Sequence, residues 1–564
     1  MQFLLDISAD RLSEDLSRFF IKKPDTDLHL SGIDFEFMAW GDPLSCAEFE
    51  HLLPVRRSIE FIVNNLYGHY YFVFWDKSKQ EFLAGNSMFS ILPLYYCTVD
   101  GRVILSDNAL TIGRHLRMST VSRRFILESV LFNYPLFNHS VIDGISLLPA
   151  NSGMVINRSG FHINRHTSVE EWFHHNPSHG GKSADRLADI FLEEVKKYLP
   201  EEHYFNALTG GFDGRTLAAA GKYHKRSFSC YCFGASESND LSLADTLASK
   251  TGTSFFPVNL DDEYLRDYSL EAGKSFIINS SGAGTFTRAH YIYAANVLSG
   301  KTRHLISGNF GSEIFRAVHV PGVVISPNLY KIFSSRNPGE ANKAIRKSIA
   351  ISFLNQKEFT TQLEDLEMDI GSLPCFNTKY SQLSRNEQFY VFVFEELFRK
   401  YFGAEMISQF GVIKIRTPFL DPAFLKELMS TGYAGIHSKF FEGNPFRRYK
   451  GQVMYAHIIR KACPQMGNMM TDKGYTPDDL LSVSGKLHIA RGYMRKLLKG
   501  RDYMYDPNGV RRAWDLNHSF YEYLPVNESL FDKAGKMSER NSGLTDALAK
   551  YYSLIYIDNY LNKL

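Results

Sequence analysis

Seven residues near the middle of the chain, Thr209-Gly210-Gly211-Phe212-Asp213-Gly214-Arg215, combine a hydroxyl, paired glycines and a carboxylate. Glycines let backbone N–H groups come close to an anion, and a helix beginning just after them adds a favourable dipole. Thr209 can donate its hydroxyl to a phosphate oxygen. Asp213 would repel a phosphate, so the role that fits its charge beside one is holding Mg²⁺. As chemistry, the stretch is a pyrophosphate cradle in which Thr209, Gly210, Gly211 and Phe212 form the loop and Asp213 is the metal ligand. The same residue types would also make a glycine-rich turn with a helix-capping Asp.

The elements around the loop favour the cradle. Tyr204 to Leu208 reads as a strand and Arg215 to Tyr223 as an alanine-rich helix. Phe228 to Phe233 and Ser254 to Leu260 read as further strands, with a helix from Leu241 to Ser249 between them, and His304 to Ser307 as a later strand. Strands alternating with helices predict parallel βαβ units, whose ligands sit at the carboxyl ends of the strands. From about Asn386 the pattern turns mainly helical. Before the loop, Leu187, Ile190, Phe191, Val195, Tyr198 and Leu199 fall on one helical face.

The first part of the chain is β-rich. Gly68 to Trp75, Glu81 to Ala84, Leu92 to Thr98 and Arg102 to Ser106 are short β-favouring segments, with Asp100-Gly101 as a hairpin signal and a second hairpin at Val155 to Ile163. His174 to Lys182 breaks this pattern and predicts a linker. Its Gly181-Lys182-Ser183 does not make a Walker loop, because Asn176 stands where the first glycine belongs and no strand precedes it. Its histidines lack partner ligands at defined spacing.

A chain of 564 residues should hold more than one domain. The formal net charge of +2 argues against nucleic acid or an anionic membrane as a bulk partner. The six cysteines show no CxxC and no disulfide spacing, which predicts reduced core thiols in a cytoplasmic protein. No basic, apolar leader and no long apolar run is seen, so neither a secretory signal nor a membrane span is expected. Homo-oligomer formation is left open.

The loop resembles the SGGxDS pyrophosphate loop of the N-type ATP pyrophosphatases, the family of asparagine synthetase, β-lactam synthetases and lasso-peptide cyclases. Other elements follow in family order over roughly residues 185–480. Cys232-Phe233-Gly234 and Asp240 to Gly252 are similar to the second strand and its helix. Leu305 to Phe315 (LISGNFGSEIF) is similar to LSGEGSDEVF, and Ile415 to Asp421 (IRTPFLD) to VRVPFLD. Thr471-Asp472-Lys473-Gly474-Tyr475 falls where the family carries a lysine that neutralises charge on the α-phosphate and pyrophosphate. In the first part, Gly68 to Asp76 resembles GDFAFALWD, Pro93 to Tyr96 matches PLYY, and Asp143 to Pro149 resembles EGIxxLPPG.

The resemblance implies an α/β chain. Residues 1–170 would be an Ntn-hydrolase-like αββα domain of glutaminase type, 171–184 a linker, and 185–564 an adenine-nucleotide α-hydrolase-like parallel-sheet synthetase domain with a helical C-terminal part. It implies ATP and Mg²⁺ as cofactors. A substrate carboxylate would attack the α-phosphorus of ATP, and an amine would then displace AMP. Thr209, Gly210, Gly211 and Phe212 would hold the phosphates with Ser307 and Gly308 facing the nucleotide. Asp213 and Glu313 would hold the metal, with Lys473 as the catalytic cation beside Glu313.

The departures from the family pattern carry their own implications. The family's glutaminases use a cysteine at the mature N-terminus, whereas this chain begins Met1-Gln2-Phe3 and its first cysteine is Cys46. Glutamine hydrolysis is therefore not expected, and the nitrogen would come from ammonia or an amine. Asn309 and Ser312 stand where the family has carboxylates, and Gly214 replaces the final loop serine. Three readings follow. One is an amide ligase acting on a small-molecule, saccharide or peptide carboxylate. The second is a lasso-cyclase-like macrolactam-forming enzyme. The third is a catalytically degenerate protein that binds nucleotide or a partner.

Overall fold

A computed structural model describes residues 2–8, 15–173, 176–318, 322, 324–349, 352–441, 449–498, 506–532 and 546–563, with backbone alone at 449–450, 493 and 495–498. His174 and His175 of the expected linker lie outside the described residues. In chain order the strands are β1 (Leu4–Ser8), β2 (Phe20–Lys22), β3 (Leu28–Ser31), β4 (Phe35–Leu44), β5 (Tyr67–Asp76), β6 (Glu81–Asn86), β7 (Tyr95–Val99), β8 (Arg102–Ser106), β9 (Ser146–Leu147), β10 (Ser152–Asn157), β11 (Gly160–Arg165), β12 (Tyr204–Ala207), β13 (Phe228–Gly234), β14 (Ser254–Asn259), β15 (His304–Ile306) and β16 (Lys414–Arg416). Among the described residues they form a mixed α/β structure with three sheets, ordered β2-β1-β8-β7-β9, β11-β10-β6-β5-β4-β3 and β14-β13-β12-β15-β16.

The first two sheets are antiparallel and share a core. Alternation along β4 and β5 sends Met38, Trp40, Tyr71, Val73 and Trp75 toward the first sheet, where the Phe3 and Trp40 rings meet edge-on at 4.8 Å. The intervening residues Phe37, Ala39, Phe72 and Phe74 face outward onto Phe49, Phe61 and Ile62 of the helices Ala47–Leu52 and Ile59–Asn65. The helix Ala109–Leu116 packs on β7 and β8. Helix, sheet, sheet, helix is thus the layering of this part. Asp100 and Gly101 both take positive φ, 50° and 73°, as the two-residue β7–β8 turn demands.

The third sheet is parallel throughout: β13 pairs with β14 and β12, and β15 pairs with β12 and β16. The helix Asp213–Tyr223 links β12 to β13, and Asn239–Lys250 links β13 to β14. Each expected strand and helix here is present within two residues of its expected bounds. The exception is β16, a three-residue strand inside a stretch read as helical. The expected linker is also shorter than its composition implies: Gly181 and Lys182 already belong to the helix Gly181–Val195. Ser178 bridges Thr431, and the His179 ring lies against Gly432.

The antiparallel and parallel sheets meet through polar side chains. Arg416 of β16 donates to both oxygens of Asp42 of β4, at 2.6 and 3.1 Å. Burial alone would raise the Asp42 carboxyl, but hydrogen bonding to His304 and the Arg416 charge hold it well below the usual carboxylate range. His69 Nε2 and Thr417 Oγ1 are 2.7 Å apart in the same buried contact.

Candidate active site

Strand order reverses at β12. β13 and β14 lie on one side and β15 and β16 on the other, so the carboxyl ends of β12 and β15 flank a topological switch point. The residues singled out from the sequence gather there. Thr209 to Phe212 leave β12, and Asp213 is the first residue of the following helix. Ser307 and Gly308 leave β15 directly opposite.

The two loops touch. A Cβ on Gly308 would lie 2.7 Å from Asp213 Cβ and 3.0 Å from the Gly214 amide nitrogen, so only glycine allows this approach. Gly214 is constrained the same way, since a Cβ there would sit 2.1 Å from the Ala207 carbonyl oxygen. At the position where the resembling loops carry a serine, the backbone lies against β12 where a side chain would be. Asn206 ties the junction by donating from Nδ2 to the Gly214 carbonyl at 3.0 Å.

The loop amides and the carboxylate have partners within the protein. The Gly210 N–H donates to Asp240 Oδ1 at 3.3 Å, and the Gly211 N–H to Thr209 Oγ1 at 3.2 Å. Thr209 is exposed and Phe212 is buried. Asp213 Oδ2 accepts from the Ser312 hydroxyl at 2.9 Å, and Oδ1 accepts from the buried Tyr455 hydroxyl. Glu313 lies one residue beyond Ser312 on the short helix Gly311–Phe315. Its carboxyl is pushed up to about 7, first by burial and then by the Asp213 charge, with Arg316 opposing.

A buried Glu313 carboxyl raised by the neighbouring Asp213 charge is a fit for a cation. Mg²⁺ commonly takes one or two carboxylates and completes its shell with phosphate oxygens and water. Asp213 and Glu313 match that donor set. Among the described residues, no group of three or more His, Cys, Asp or Glu side chains is arranged as a closed metal site.

Lys473 sits at the tip of a turn that docks on the loop. Thr471 closes the turn, its N–H and hydroxyl both donating to the Tyr475 carbonyl at 3.0 and 2.6 Å. The Asp472 N–H donates to the Gly210 carbonyl at 3.0 Å. The Lys473 ammonium lies 3.1 Å from Asp472 Oδ1 and 5.6 Å from the centroid of the Phe212 ring. Ser307 turns toward Asn309, donating to its Oδ1 at 2.8 Å, and Asn309 Nδ2 donates to Glu405 Oε1 at 2.9 Å. Glu405 is in turn paired with Arg288.

All nine expected site residues, Thr209, Gly210, Gly211, Phe212, Asp213, Ser307, Gly308, Glu313 and Lys473, belong to elements that meet at this switch point. Sequence reasoning missed Tyr455, Asp240, Arg215 and Glu405. Tyr455 and Glu405 lie far along the chain from their partners Asp213 and Asn309, in helical segments with no motif. Arg215 was in plain view beside the loop, and an arginine on the apolar face of an alanine-rich helix was the available signal.

No family model matches this chain, and no curated protein matches it. Two solved structures that share some likeness are an allosteric regulatory enzyme of purine biosynthesis and the glutamine phosphoribosylpyrophosphate amidotransferase from B. subtilis complexed with ADP and GMP. The first is 10% identical over 32% of this chain and 42% of that one, with a TM-score of 0.16. The second is 11% identical over 57% of this chain and 71% of that one, also with a TM-score of 0.16. At that overlap neither bears on the fold or the chemistry of the site.

Proposed function

We propose that this chain is an ATP-dependent, AMP- and pyrophosphate-forming ligase that adenylates a substrate carboxylate and joins it to ammonia or an amine. The observation that carries the reading is the meeting of three elements at one switch point: the loop entering the helix at Asp213, the Glu313 segment, and the turn bearing Lys473, hydrogen-bonded to Gly210 through Asp472.

In this reading Thr209 and the amides of Gly210 and Gly211 orient the phosphates, and the helix beginning at Asp213 adds its dipole. Asp213 and Glu313 would hold Mg²⁺, which when bound neutralises charge on the departing pyrophosphate. Lys473 exchanges its Asp472 partner for the phosphate and offsets the negative charge that grows as pyrophosphate leaves. Gly308 lets the β15 loop close against the β12 loop, so the carboxylate and the α-phosphorus are held together.

In this reading the nitrogen is ammonia or an amine of the acceptor, and the four buried cysteines are not suited to act as a glutaminase nucleophile. A cysteine nucleophile acts as thiolate. The Cys230, Cys232 and Cys375 thiols are pushed up to about 12 by burial, and burial raises Cys97 as well.

A second reading, a degenerate nucleotide- or partner-binding protein, is favoured by one observation. Both oxygens of Asp213 accept hydroxyl donors and the Gly210 amide already has a carboxylate, so the site is satisfied without ligand. ATP–pyrophosphate exchange with a panel of small-molecule, saccharide and peptide carboxylates separates the two. Exchange that Asp213→Ala abolishes supports the ligase. Tight nucleotide binding with no AMP from any carboxylate supports the degenerate protein.

A further inference from the structure

Arg215 is one of the largest side chains withdrawn from solvent, at 1% exposure. Among the described residues no carboxylate pairs with it. Its guanidinium is instead spent on main-chain carbonyls. Nη1 donates to Met469 O at 2.6 Å and lies 3.4 Å from Met466 O, while Nη2 donates to Met470 O at 2.8 Å. Met466 lies in the short helix Pro464–Gly467 and its carbonyl also accepts from the Met469 N–H at 3.4 Å, while Met469 and Met470 follow the helix.

The segment they fix runs straight into the Thr471–Tyr475 turn, and Asp472 of that turn bonds back to Gly210. A closed circuit results. It runs from the phosphate loop into its helix, through Arg215 to residues 466–470, on to the turn carrying Lys473, and back to the loop. A planar fork reaches these carbonyls from two separate nitrogens in fixed geometry, whereas a lysine brings its three rotatable donors to a single point.

We infer that Arg215 is a positioning residue that locks the Lys473 turn onto the phosphate loop, so that the anion cradle and its lysine form as one unit. The consequence for ligand binding rests on the function proposed above, whereas the clamp itself does not. Burial disfavours the guanidinium charge while the Asp472 charge of the same turn favours it, and any arrangement that parts residues 466–470 from the helix strands the guanidinium without its carbonyl acceptors.

Two measurements on the full chain test this. Hydrogen exchange is followed at the Asp472 and Lys473 amides in the wild type, Arg215→Met and Arg215→Lys. Binding of magnesium pyrophosphate is titrated for the same proteins, for Lys473→Ala and for the double variant. Exchange at these two amides should quicken at least about 10-fold in Arg215→Met and less in Arg215→Lys, with β12 unchanged. Pyrophosphate affinity should fall about 10-fold in Arg215→Met, about 10-fold in Lys473→Ala, and about 10-fold rather than 100-fold in the double variant, because coupled residues are not additive. A merely structural arginine would not produce that non-additivity. If Arg215→Met does not fold, Arg215→Lys carries both arms. Unchanged exchange at 472–473 overturns the clamp, and additive affinity losses overturn its role at the lysine. A wild type that binds no magnesium pyrophosphate overturns the proposed function, and the exchange arm still decides the clamp.

Discussion

Ser312 donates its hydroxyl to Oδ2 of Asp213 at 2.9 Å, at the position where the resembling family has a second carboxylate. A neutral donor therefore stands where a second negative charge would share a cation. The hydroxyl stabilises the Asp213 carboxylate without metal, while Glu313 on the next residue keeps a second carboxyl within electrostatic reach.

Replacing Ser312 by Asp should reverse this balance. Two carboxylates in contact repel, so without Mg²⁺ the variant should lose on the order of 1 kcal/mol of stability at pH 7. Millimolar Mg²⁺ should recover more than that loss, because a cation binding only the folded state stabilises it by mass action. Thermal unfolding with and without Mg²⁺ reads the difference, and a Mg²⁺-induced rise no larger than in the wild type would count against Asp213 as a metal ligand.

Tyr455→Phe removes the buried hydroxyl on the other oxygen of Asp213. Its ring packs against Phe315 at 4.6 Å and Phe212 at 5.9 Å, contacts that phenylalanine keeps. The loss is then one hydrogen bond to a charged acceptor, about 1.5–3 kcal/mol. Urea unfolding should show that drop with an unchanged slope, and an effect below about 0.5 kcal/mol would mean that Asp213 turns to another donor.

Much of the parallel sheet was legible because its strands are apolar and alternate with helices, so that β12, β13 and β14 and their helices carry clear periods. The loop at 209–213 could be read from glycine and charge alone. What could not be read was closure by distant parts. Tyr455 reaches Asp213 from a helix whose apolar spacing marks it only as core, and β16 is enclosed by helical segments that dominate the pattern there. Gly214 is instructive: the sequence marks it as a lost serine, whereas only the distance to the Ala207 carbonyl shows that the backbone occupies the space.

Gly214→Ser should consequently fail to restore a phosphate ligand. Its Cβ would be 2.1 Å from a main-chain oxygen that cannot rotate away, so either β12 or the helix must shift. Overpacking of this kind costs about 1–3 kcal/mol or more. Lower soluble yield and a lowered melting temperature are expected, together with weaker magnesium pyrophosphate binding. Tighter binding at unchanged stability would show that the loop is free to reopen.

Acid sensitivity should come from buried neutral histidines where the sheets meet and beside β13. Burial pulls His69 down to about 4, against the Asp42 charge, and His290 down to about 3, aided by the Arg288 charge. Each prefers to be neutral in the folded chain, while the unfolded chain takes up a proton near pH 6.5. Below that pH the unfolded state binds more protons, so stability is full above about 6.5 and falls as pH drops toward the folded values. For His69 alone the loss between pH 7 and pH 5 is about 2 kcal/mol. His69 Nε2 faces Thr417 Oγ1 at 2.7 Å, so His69→Gln retains a side chain able to hydrogen-bond there but cannot titrate. Denaturant unfolding at pH 7 and pH 5 should therefore show a pH-dependent loss about 2 kcal/mol smaller in His69→Gln than in the wild type. Equal losses in the two proteins would place the acid sensitivity elsewhere in the chain.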